Sequence, residues 1–186
     1  MSHLQVENLS LPDVLRITPP RHGDARGYFS ETYNQAAFAK AGIPAAFIQD
    51  NQSFSRDRGT IRGLHFQTPP FAQAKLVRVL RGSIFDVAVD LRRASPTRGK
   101  SIGVTLGADE GSQLFVPAGF AHGFCTLEPN TEVLYKVDTS YSREHERALL
   151  WNDPALGIAW PIGAHEVILN ERDRNALPLH ALPDCF

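Results

Sequence analysis

The chain has 186 residues, of which 42% are hydrophobic, with 19 basic and 20 acidic side chains and a net charge of −1. This balance argues against non-specific DNA or RNA binding, which needs clustered positive charge, and against a disordered chain. The sequence has no run of about 18 apolar residues and no basic, apolar leader, so we expect no transmembrane helix and no signal peptide.

Short β-type segments separated by Gly, Pro, Asp and Ser make up most of the chain. Segment 35–41 predicts a helix, with Asn34 as N-cap and Gly42 as C-cap, and a shorter helix is expected near 173–176. Many strands and few helices predict an all-β sandwich or barrel, as one domain over residues 1–186. The predicted strands are 14–18, 29–33, 47–54, 60–67, 75–80, 84–92, 100–106, 112–116, 121–127 and 132–137.

The segment 84–91 alternates in polarity, as a strand with two different faces does. One face is fully apolar, whereas the other carries two acids, Asp86 and Asp90, in alternation with Ile84 and Ala88. We therefore expect the acidic face to line a cavity or water. Arg81-Gly82-Ser83, just before this segment, predicts a tight hairpin turn.

The segment Arg62-Gly63-Leu64-His65-Phe66-Gln67 carries two groups that suit a catalytic site. On a regular strand Arg62 and His65 point to opposite faces. For both to serve one site, Gly63 has to lie at a bulge or Arg62 has to act from the rim. The alternative is a surface arginine beside a buried histidine without function.

A second histidine, His122, follows a Pro-Ala-Gly turn and is flanked by Ala and Gly, which leaves room for a ligand at its ring. Histidine can accept or donate a proton near neutral pH, and works best when a carboxylate holds its other nitrogen. Asp173 and Asp86 are the candidate carboxylates. No His-x-His pair occurs, and Gln67 lies two residues after His65, so the pattern does not favour a metal site.

Tyr135 shares its predicted strand face with Val133 and Val137, so it lies either in the core or in a cavity where it can give a proton to a substrate. Four cations form a further candidate set: Arg26, Arg62, Lys75 and Arg78. The last three lie in or beside predicted central strands, where an unpaired charge is costly. They are therefore either edge or solvent-face residues, or they meet an anion, and a diphosphate fits bidentate arginine well. No Walker loop or Gly-x-Gly-x-x-Gly occurs, so a nucleotide hydrolase or dinucleotide fold is not expected.

The two cysteines, Cys125 and Cys185, form no disulfide framework, so we expect the protein in the reducing cytoplasm.

Seven motifs carry a resemblance to a known family: GDARGYFSE at 23–31, QDNQS at 49–53, RGLHFQ at 62–67, FDVAVDLR at 85–92, PAGFAHGF at 117–124, LYK at 134–136 and LWNDP at 150–154. Taken together, they resemble the dTDP-4-dehydrorhamnose 3,5-epimerase family, in the family's order and over about residues 12 to 178. The resemblance implies a cupin-like jelly-roll that forms a homodimer and needs neither metal nor cofactor.

The resemblance implies that the substrate is a dTDP-linked 4-keto-6-deoxy-hexose, inverted at C3 and C5 through an enolate. His65 would be the base, oriented by Asp173; Tyr135 would be the opposing acid, and Lys75 would stabilise the enolate oxygen. The implied substrate-binding residues are Arg26, Glu31, Gln49, Asn51, Arg62, His122, Glu146 and Arg172, some of them acting across the dimer.

Three positions depart from the family's usual pattern. Arg172 stands where lysine is usual, Ser140 replaces the first of two paired tyrosines, and His22 replaces an aromatic residue. Arginine keeps the charge but changes its geometry, and the other two alter contacts to the nucleoside.

Three other functions remain as alternatives. They are an epimerase of one centre only, a metal-dependent cupin enzyme, and a sugar-nucleotide binding module without catalysis. The last has no need of a base and an acid together.

Overall fold

The computed structural model describes residues 4–183 and 185–186, and strands dominate them. In chain order the strands are β1 (Gln5–Asn8), β2 (Leu15–Thr18), β3 (His22–Asp24), β4 (Gly27–Phe29), β5 (Gln49–Ser55), β6 (Ile61–Gln67), β7 (Lys75–Arg81), β8 (Ser83–Asp90), β9 (Ser101–Gly107), β10 (Gln113–Val116), β11 (Phe120–Thr126), β12 (Thr131–Val137) and β13 (Glu146–Ala148). Helix α1 is Gln35–Lys40 and α2 is Glu171–Arg174; short 3₁₀ turns cover Pro154–Leu156, Ala164–Glu166 and Leu179–Ala181.

Two antiparallel sheets pack face to face. The larger sheet has the order β1-β2-β10-β7-β12-β5 and the smaller has the order β13-β6-β11-β8-β9. The arrangement is a cupin-like jelly-roll, as predicted. The remaining two strands, β3 and β4, pair only with each other and form a separate hairpin.

The main core lies between the sheets, where apolar side chains of β7, β10 and β12 meet those of β8, β9 and β11. Further clusters cover the outer faces. Phe38 of α1 packs with Ile17, Leu76 and Phe115 outside the larger sheet. The C-terminal segment, through residues such as Leu156, covers the outside of the smaller sheet. Both sheets are thereby fixed on their outer sides, and part of the space between them stays available for a cleft.

The predicted strands are largely confirmed, but segment 29–33 is wrong. The strand there is β4, which ends at Phe29, because the turn at residues 24–27 pairs β4 with β3. Three strands were not predicted: β1, β3 and β13. They are short and polar, with little alternation, and they become strands only by pairing with a neighbour.

Both helices form close to their predicted positions. Asn34 caps α1 by accepting a hydrogen bond from the Ala37 backbone N–H at 3.1 Å. The capping residue at the C-terminus is Ala41, and Gly42 follows it with a φ of +87°, which glycine adopts most readily. Helix α2 begins two residues before the predicted 173–176, because Asn170 serves as its N-cap.

The acidic face of β8 points between the sheets, but both its carboxylates are fully buried. The expectation that this face lines a cavity or water is therefore wrong for Asp86 and Asp90 themselves. Each of them binds another side chain of the protein instead: His122 for Asp86, and Arg92 for Asp90. Among the described residues, no helix is long and apolar enough to cross a membrane.

Candidate active site

A polar cleft lies between the two sheets and consists of two adjoining cavities of about 160 and 180 Å³. His65 of β6, Lys75 of β7 and Tyr135 of β12 line both cavities. The first cavity is also lined by Gln49, Asn51, Phe66, Gln67, Gln73, Val137, Tyr141 and Glu146. The second is also lined by Ser53, Arg62, His122, Phe124, Asn170 and Asp173.

A bulge in β6 brings Arg62 and His65 to the same cavity. His65 pairs with His122 of β11 and Arg62 pairs with Phe124, so β6 contains one more residue than β11 over this stretch. Gly63 has a φ of +127°, and a Cβ there would lie 2.6 Å from the Gly123 Cα. Only glycine permits this close approach, which confirms the bulge expected at Gly63.

His65 is held by a buried carboxylate. Its Nε2 lies 2.6 Å from Asp173 Oδ1, and the second oxygen of Asp173 accepts the Gly63 backbone N–H at 3.1 Å. Burial opposes the charge on Asp173, but the hydrogen bond and the electrostatic interaction with His65 outweigh it and lower the pKa of the carboxyl. A carboxylate fixed in this way orients the imidazole so that its other nitrogen is free for a substrate.

Lys75 places a cation at the centre of the cleft. Its Nζ donates to the His65 carbonyl at 3.2 Å, and the side chain is almost fully buried. Burial lowers the pKa of Lys75 to about 8, although the negative charges of Asp86 and Glu146 counteract the shift. The ammonium is therefore charged at neutral pH and can stabilise a developing oxyanion.

Tyr135 enters the cleft from the larger sheet, whereas His65 enters it from the smaller sheet. Burial, with the nearby charge of Glu146, raises the pKa of Tyr135. The phenol thus keeps its proton at neutral pH. The cleft offers a proton acceptor on one wall and a proton donor on the other.

A second histidine–aspartate pair adjoins the first. His122 Nε2 lies 2.7 Å from Asp86 Oδ1, and both residues are buried. Asp86 Oδ2 is also buried and has no hydrogen-bond partner among the described residues. The prediction that Asp86 holds a histidine is correct, and that histidine is His122.

Strand β5 presents a row of polar side chains to the cleft. Gln49 Nε2 donates to Asn51 Oδ1 at 2.8 Å, and Ser55 Oγ accepts from Arg62 Nε at 3.1 Å. Between them, the buried Ser53 Oγ has no partner within the described part of the chain. The sequence reasoning missed Ser53, although the alternation along 49–55 places it on the same face as Gln49 and Asn51.

Glu146 lines the first cavity, and Arg172 binds it from beside the cavity. Arg172 NH1 is 2.8 Å from Glu146 Oε2, and the Tyr141 hydroxyl donates to the same oxygen at 2.9 Å. Burial opposes ionisation of Glu146, yet these two hydrogen bonds lower its pKa. Arg172 thus binds a carboxylate of the cavity wall.

Two of the predicted binding residues lie away from both cavities of this chain. Arg26 is in the β3–β4 hairpin, where its exposed side chain pairs with Asp24, and Glu31 is exposed just after it. The same hairpin exposes Tyr28 and Phe29, at 60% and 71%. Within one chain, the structure does not bring these residues to the cleft.

No group of three or more His, Cys, Asp or Glu side chains that could hold a metal ion occurs in residues 4–183 and 185–186. Gln67 lies at the position where a further ligand could have stood. Its side-chain amide instead donates to the Phe71 carbonyl and accepts the Ser142 backbone N–H.

A jelly-roll cleft with an oriented imidazole, an opposing phenol and an ammonium between them defines an isomerase that moves protons on and off carbon. The matching family model, dTDP-4-dehydrorhamnose 3,5-epimerase, covers residues 8–181. An epimerase of this name from Sinorhizobium fredii is 48% identical over 186 residues, which cover 100% of this chain and 95% of the relative.

Solved structures are similar over nearly the whole chain. The Bacillus anthracis enzyme with TDP and PPi bound has a TM-score of 0.91 and 47% identity, covering 94% of this chain and 99% of its own. The Legionella pneumophila enzyme in complex with dTDP-4-keto-L-rhamnose has a TM-score of 0.92 and 39% identity, covering 97% and 95%. This chain belongs to the dTDP-4-dehydrorhamnose 3,5-epimerase family.

Proposed function

We propose that the protein inverts C3 and C5 of dTDP-4-dehydro-6-deoxy-D-glucose to give dTDP-4-dehydro-L-rhamnose. The observation that carries the proposal is the placement of His65 and Tyr135 on opposite sheets around one cleft. Inversion at carbon needs a base on one side of the sugar and an acid on the other. Membership of the family supports the identity of the substrate.

The steps follow from the acidity of C–H bonds beside a ketone. His65 takes the proton from C3 or C5, and the electron pair of that bond moves to the C4 oxygen as an enolate. Lys75 stabilises the negative oxygen, because an ammonium in a dry cavity interacts strongly with developing charge. Tyr135 then gives its proton to the carbon from the opposite side, which inverts it.

Every proton in this sequence comes from or goes to a side chain, and no electron is gained or lost overall. We therefore propose that the reaction needs no redox cofactor and no metal. Metal analysis of the purified enzyme, with activity measured before and after a chelator, tests this part. A stoichiometric metal whose removal abolishes activity would favour the metal-dependent alternative instead.

The remaining groups of the cleft bind the substrate and take no part in proton transfer. Arg62 and His122, both in the second cavity, suit the sugar and diphosphate, because cations and N–H donors bind phosphate oxygens. Gln49, Asn51, Glu146 and Arg172 lie at the first cavity or beside it and suit the nucleotide.

Arg26 and Glu31 reach a substrate only if a second copy supplies them, so we propose a homodimer in which the β3–β4 hairpin enters the partner's cleft. The exposed Tyr28 and Phe29 support this, since packing against a partner would remove the apolar surface of the hairpin from water. The chain has only two cysteines, too few for a disulfide framework, which supports a cytoplasmic enzyme. Mixing inactive Arg26→Ala and His65→Ala variants should restore part of the activity, because mixed dimers then contain one complete site.

The direct test of the function is NMR of dTDP-4-keto-6-deoxyglucose in deuterated water with the enzyme. We expect deuterium to enter both C3 and C5, with inverted product. His65→Ala should lower turnover by about 10²–10⁴-fold, the usual contribution of a general base, and should stop deuterium entry at both carbons. His180→Ala, at an exposed histidine, is the matched control.

Full activity in a folded His65→Ala variant would refute the mechanism. Tight dTDP binding without deuterium entry in the native enzyme would favour the non-catalytic module. Exchange and inversion at one carbon only would identify an epimerase of a single centre.

A further inference from the structure

The β3–β4 hairpin is exposed along its whole length. Each of residues 22–29 is accessible to solvent, and β3 and β4 pair only with each other. The direction of the hairpin is therefore set at its base, by the residues that lead into it and out of it. Both of these connections are bound to residues 108–113, which we call the anchor segment and which end in the first residue of β10.

The connection into the hairpin is held by Arg21. Its guanidinium donates to two successive carbonyls of the anchor segment, that of Ala108 at 2.9 Å and that of Asp109. The same guanidinium lies over the ring of Tyr28 in β4, 4.3 Å from the ring centre. A planar guanidinium donates from its edge while it stacks with its face, so this one side chain joins the hairpin to the anchor segment.

The local sequence favours a fixed position for Arg21. Pro19 and Pro20 come directly before it, and their rings fix φ over the two residues that connect it to β2. In the anchor segment, Gly111 has a φ of +69°, and a Cβ there would clash with the guanidinium. Glycine at this position therefore leaves the space that the guanidinium occupies.

The connection out of the hairpin is held by Gln113. Its Nε2 donates to the Thr32 carbonyl at 2.7 Å, and its side chain is almost fully buried. A buried amide needs a hydrogen-bond partner, so this bond is expected to be kept in the folded protein. Tyr33, the next residue, packs edge-on against Phe38 and Phe47 and fixes the chain beyond that point.

We infer that Arg21 and Gln113 are positioning residues, which hold the hairpin so that Arg26 and Glu31 are presented to the cleft of a second copy. The inference rests on the proposed function, in which those two residues reach a substrate only across a homodimer. Arg21 and Gln113 are not among the residues that line the two cavities of their own chain. Their loss from one chain should therefore impair the site of the other chain.

The first test is the steady-state kinetics of Arg21→Ala and Gln113→Met. Methionine keeps the approximate volume of glutamine but removes the donor. Each variant should raise KM for the dTDP-sugar about 10-fold, because a mobile hairpin loses the pre-organisation of its binding contacts. The value of kcat should stay within about twofold of the native one, since His65 and Tyr135 keep their positions.

Arg58→Ala is the matched control. Arg58 is likewise an exposed arginine, bound to Glu166 at 2.8 Å, but it lies in the turn between β5 and β6. Its variant should keep the native KM. Arg21→Lys should recover part of the loss seen in Arg21→Ala, because an ammonium still donates to a carbonyl but lacks the planar edge and face of arginine.

The decisive test distributes Arg21→Ala and His65→Ala in two ways over a dimer whose copies carry different affinity tags. With one substitution in each chain, the working cleft receives a native hairpin, and its KM should be native. With both substitutions in one chain and a native partner, the working cleft receives the altered hairpin, and its KM should rise about 10-fold. Both dimers contain the same substitutions, so a general loss of stability does not produce this difference.

A native KM in both Arg21→Ala and Gln113→Met would overturn the inference. A KM raised only when Arg21→Ala and His65→Ala lie in different chains would overturn it too, because the arginine would then act on its own cleft. The mixture of Arg26→Ala with His65→Ala tests the hairpin exchange itself. Activity restored there, with a native KM in both anchor variants, would refute the inference and leave the proposed function standing.

Binding of dTDP, measured by calorimetry, separates the two claims when there is no turnover. If the native enzyme does not epimerise its substrate, the proposed function fails. The Kd of dTDP then decides the inference: it should rise about 10-fold in Arg21→Ala and Gln113→Met and stay native in Arg58→Ala. An equal Kd in all three variants would overturn the inference.

Discussion

Two aspartates of strand β8 lie four residues apart on the same face, and they serve two different regions of the molecule. Asp86 belongs to the cleft, where it binds one histidine and keeps one oxygen unpaired. Asp90 belongs to what we call the Asp90 cluster, formed with Arg92, Ser95 and Thr97. Both are completely buried, so burial alone does not separate the two regions.

The difference lies in the number of donors. Asp90 accepts from the backbone N–H and the guanidinium of Arg92 and from two hydroxyls, at 2.6 to 3.0 Å. Burial opposes its charge, but these bonds prevail and lower the pKa of Asp90 to about 2. A structural polar cluster satisfies its own groups, whereas the cleft leaves groups such as Ser53 Oγ and Asp86 Oδ2 for other partners.

The largest effect expected in the cleft, after that of His65→Ala, is that of Tyr135→Phe. Loss of the acid should lower inversion by about 10²–10³-fold, within the usual range for general acid catalysis. Deuterium entry should fall much less, because His65 can still remove the proton and return a deuteron to the same face. NMR that follows exchange and inversion separately makes the measurement.

Tyr33→Phe is the control, since this tyrosine packs on Phe38 and Phe47 outside the larger sheet. Equal losses of exchange and inversion in Tyr135→Phe would contradict the assignment of the phenol as the opposing acid.

In the Asp90 cluster, a substitution of the central carboxylate should lower stability and leave catalytic activity unchanged. Asp90→Asn removes hydrogen bonds to a charged acceptor, and we expect the free energy of unfolding to fall by about 3 kcal/mol. Because the pKa of Asp90 is lowered in the folded state, its contribution is present above about pH 4 and is lost as pH falls towards 2. Urea titrations at pH 7 and pH 3 should therefore show a smaller deficit at the lower pH.

The activity of Asp90→Asn per folded molecule should equal that of the native enzyme. A large fall in kcat with normal stability would instead show that the Asp90 cluster contributes to catalysis, and would contradict the difference we draw between the two regions.

The smallest expected effects come from removing one serine hydroxyl in the cleft and one in the Asp90 cluster. Ser53→Ala removes an unpaired hydroxyl from the cleft, so stability should change little, while KM should rise about 3- to 10-fold if the hydroxyl binds substrate. Ser95→Ala removes a hydroxyl that donates to Asp90 at 2.6 Å, so it should cost about 1 kcal/mol of stability and leave KM unchanged. Thermal denaturation and steady-state kinetics on both variants make the test, and the reverse pattern would refute it.

The strand pattern could be predicted because it depends on local sequence. Alternation of apolar and polar residues fixed the central strands and the faces of β8 and β12, and Asn34 marked the start of α1. The short strands β1, β3 and β13 could not be predicted, since their pairing with a neighbour and not their own side chains makes them strands. The acid and base candidates came from residue types in familiar motifs.

The sequence by itself determined the class of fold, the family and the chemical groups available, because these follow from residue types and their spacing. Only the tertiary structure decided that Asp86 binds His122, and that Arg62 and His65 share a cavity through the bulge at Gly63. It also decided which of two equally buried aspartates keeps an oxygen free. The physical reason is that pairing, desolvation and unmet hydrogen bonds depend on distances between residues up to 110 positions apart in the chain, and local sequence does not encode such distances.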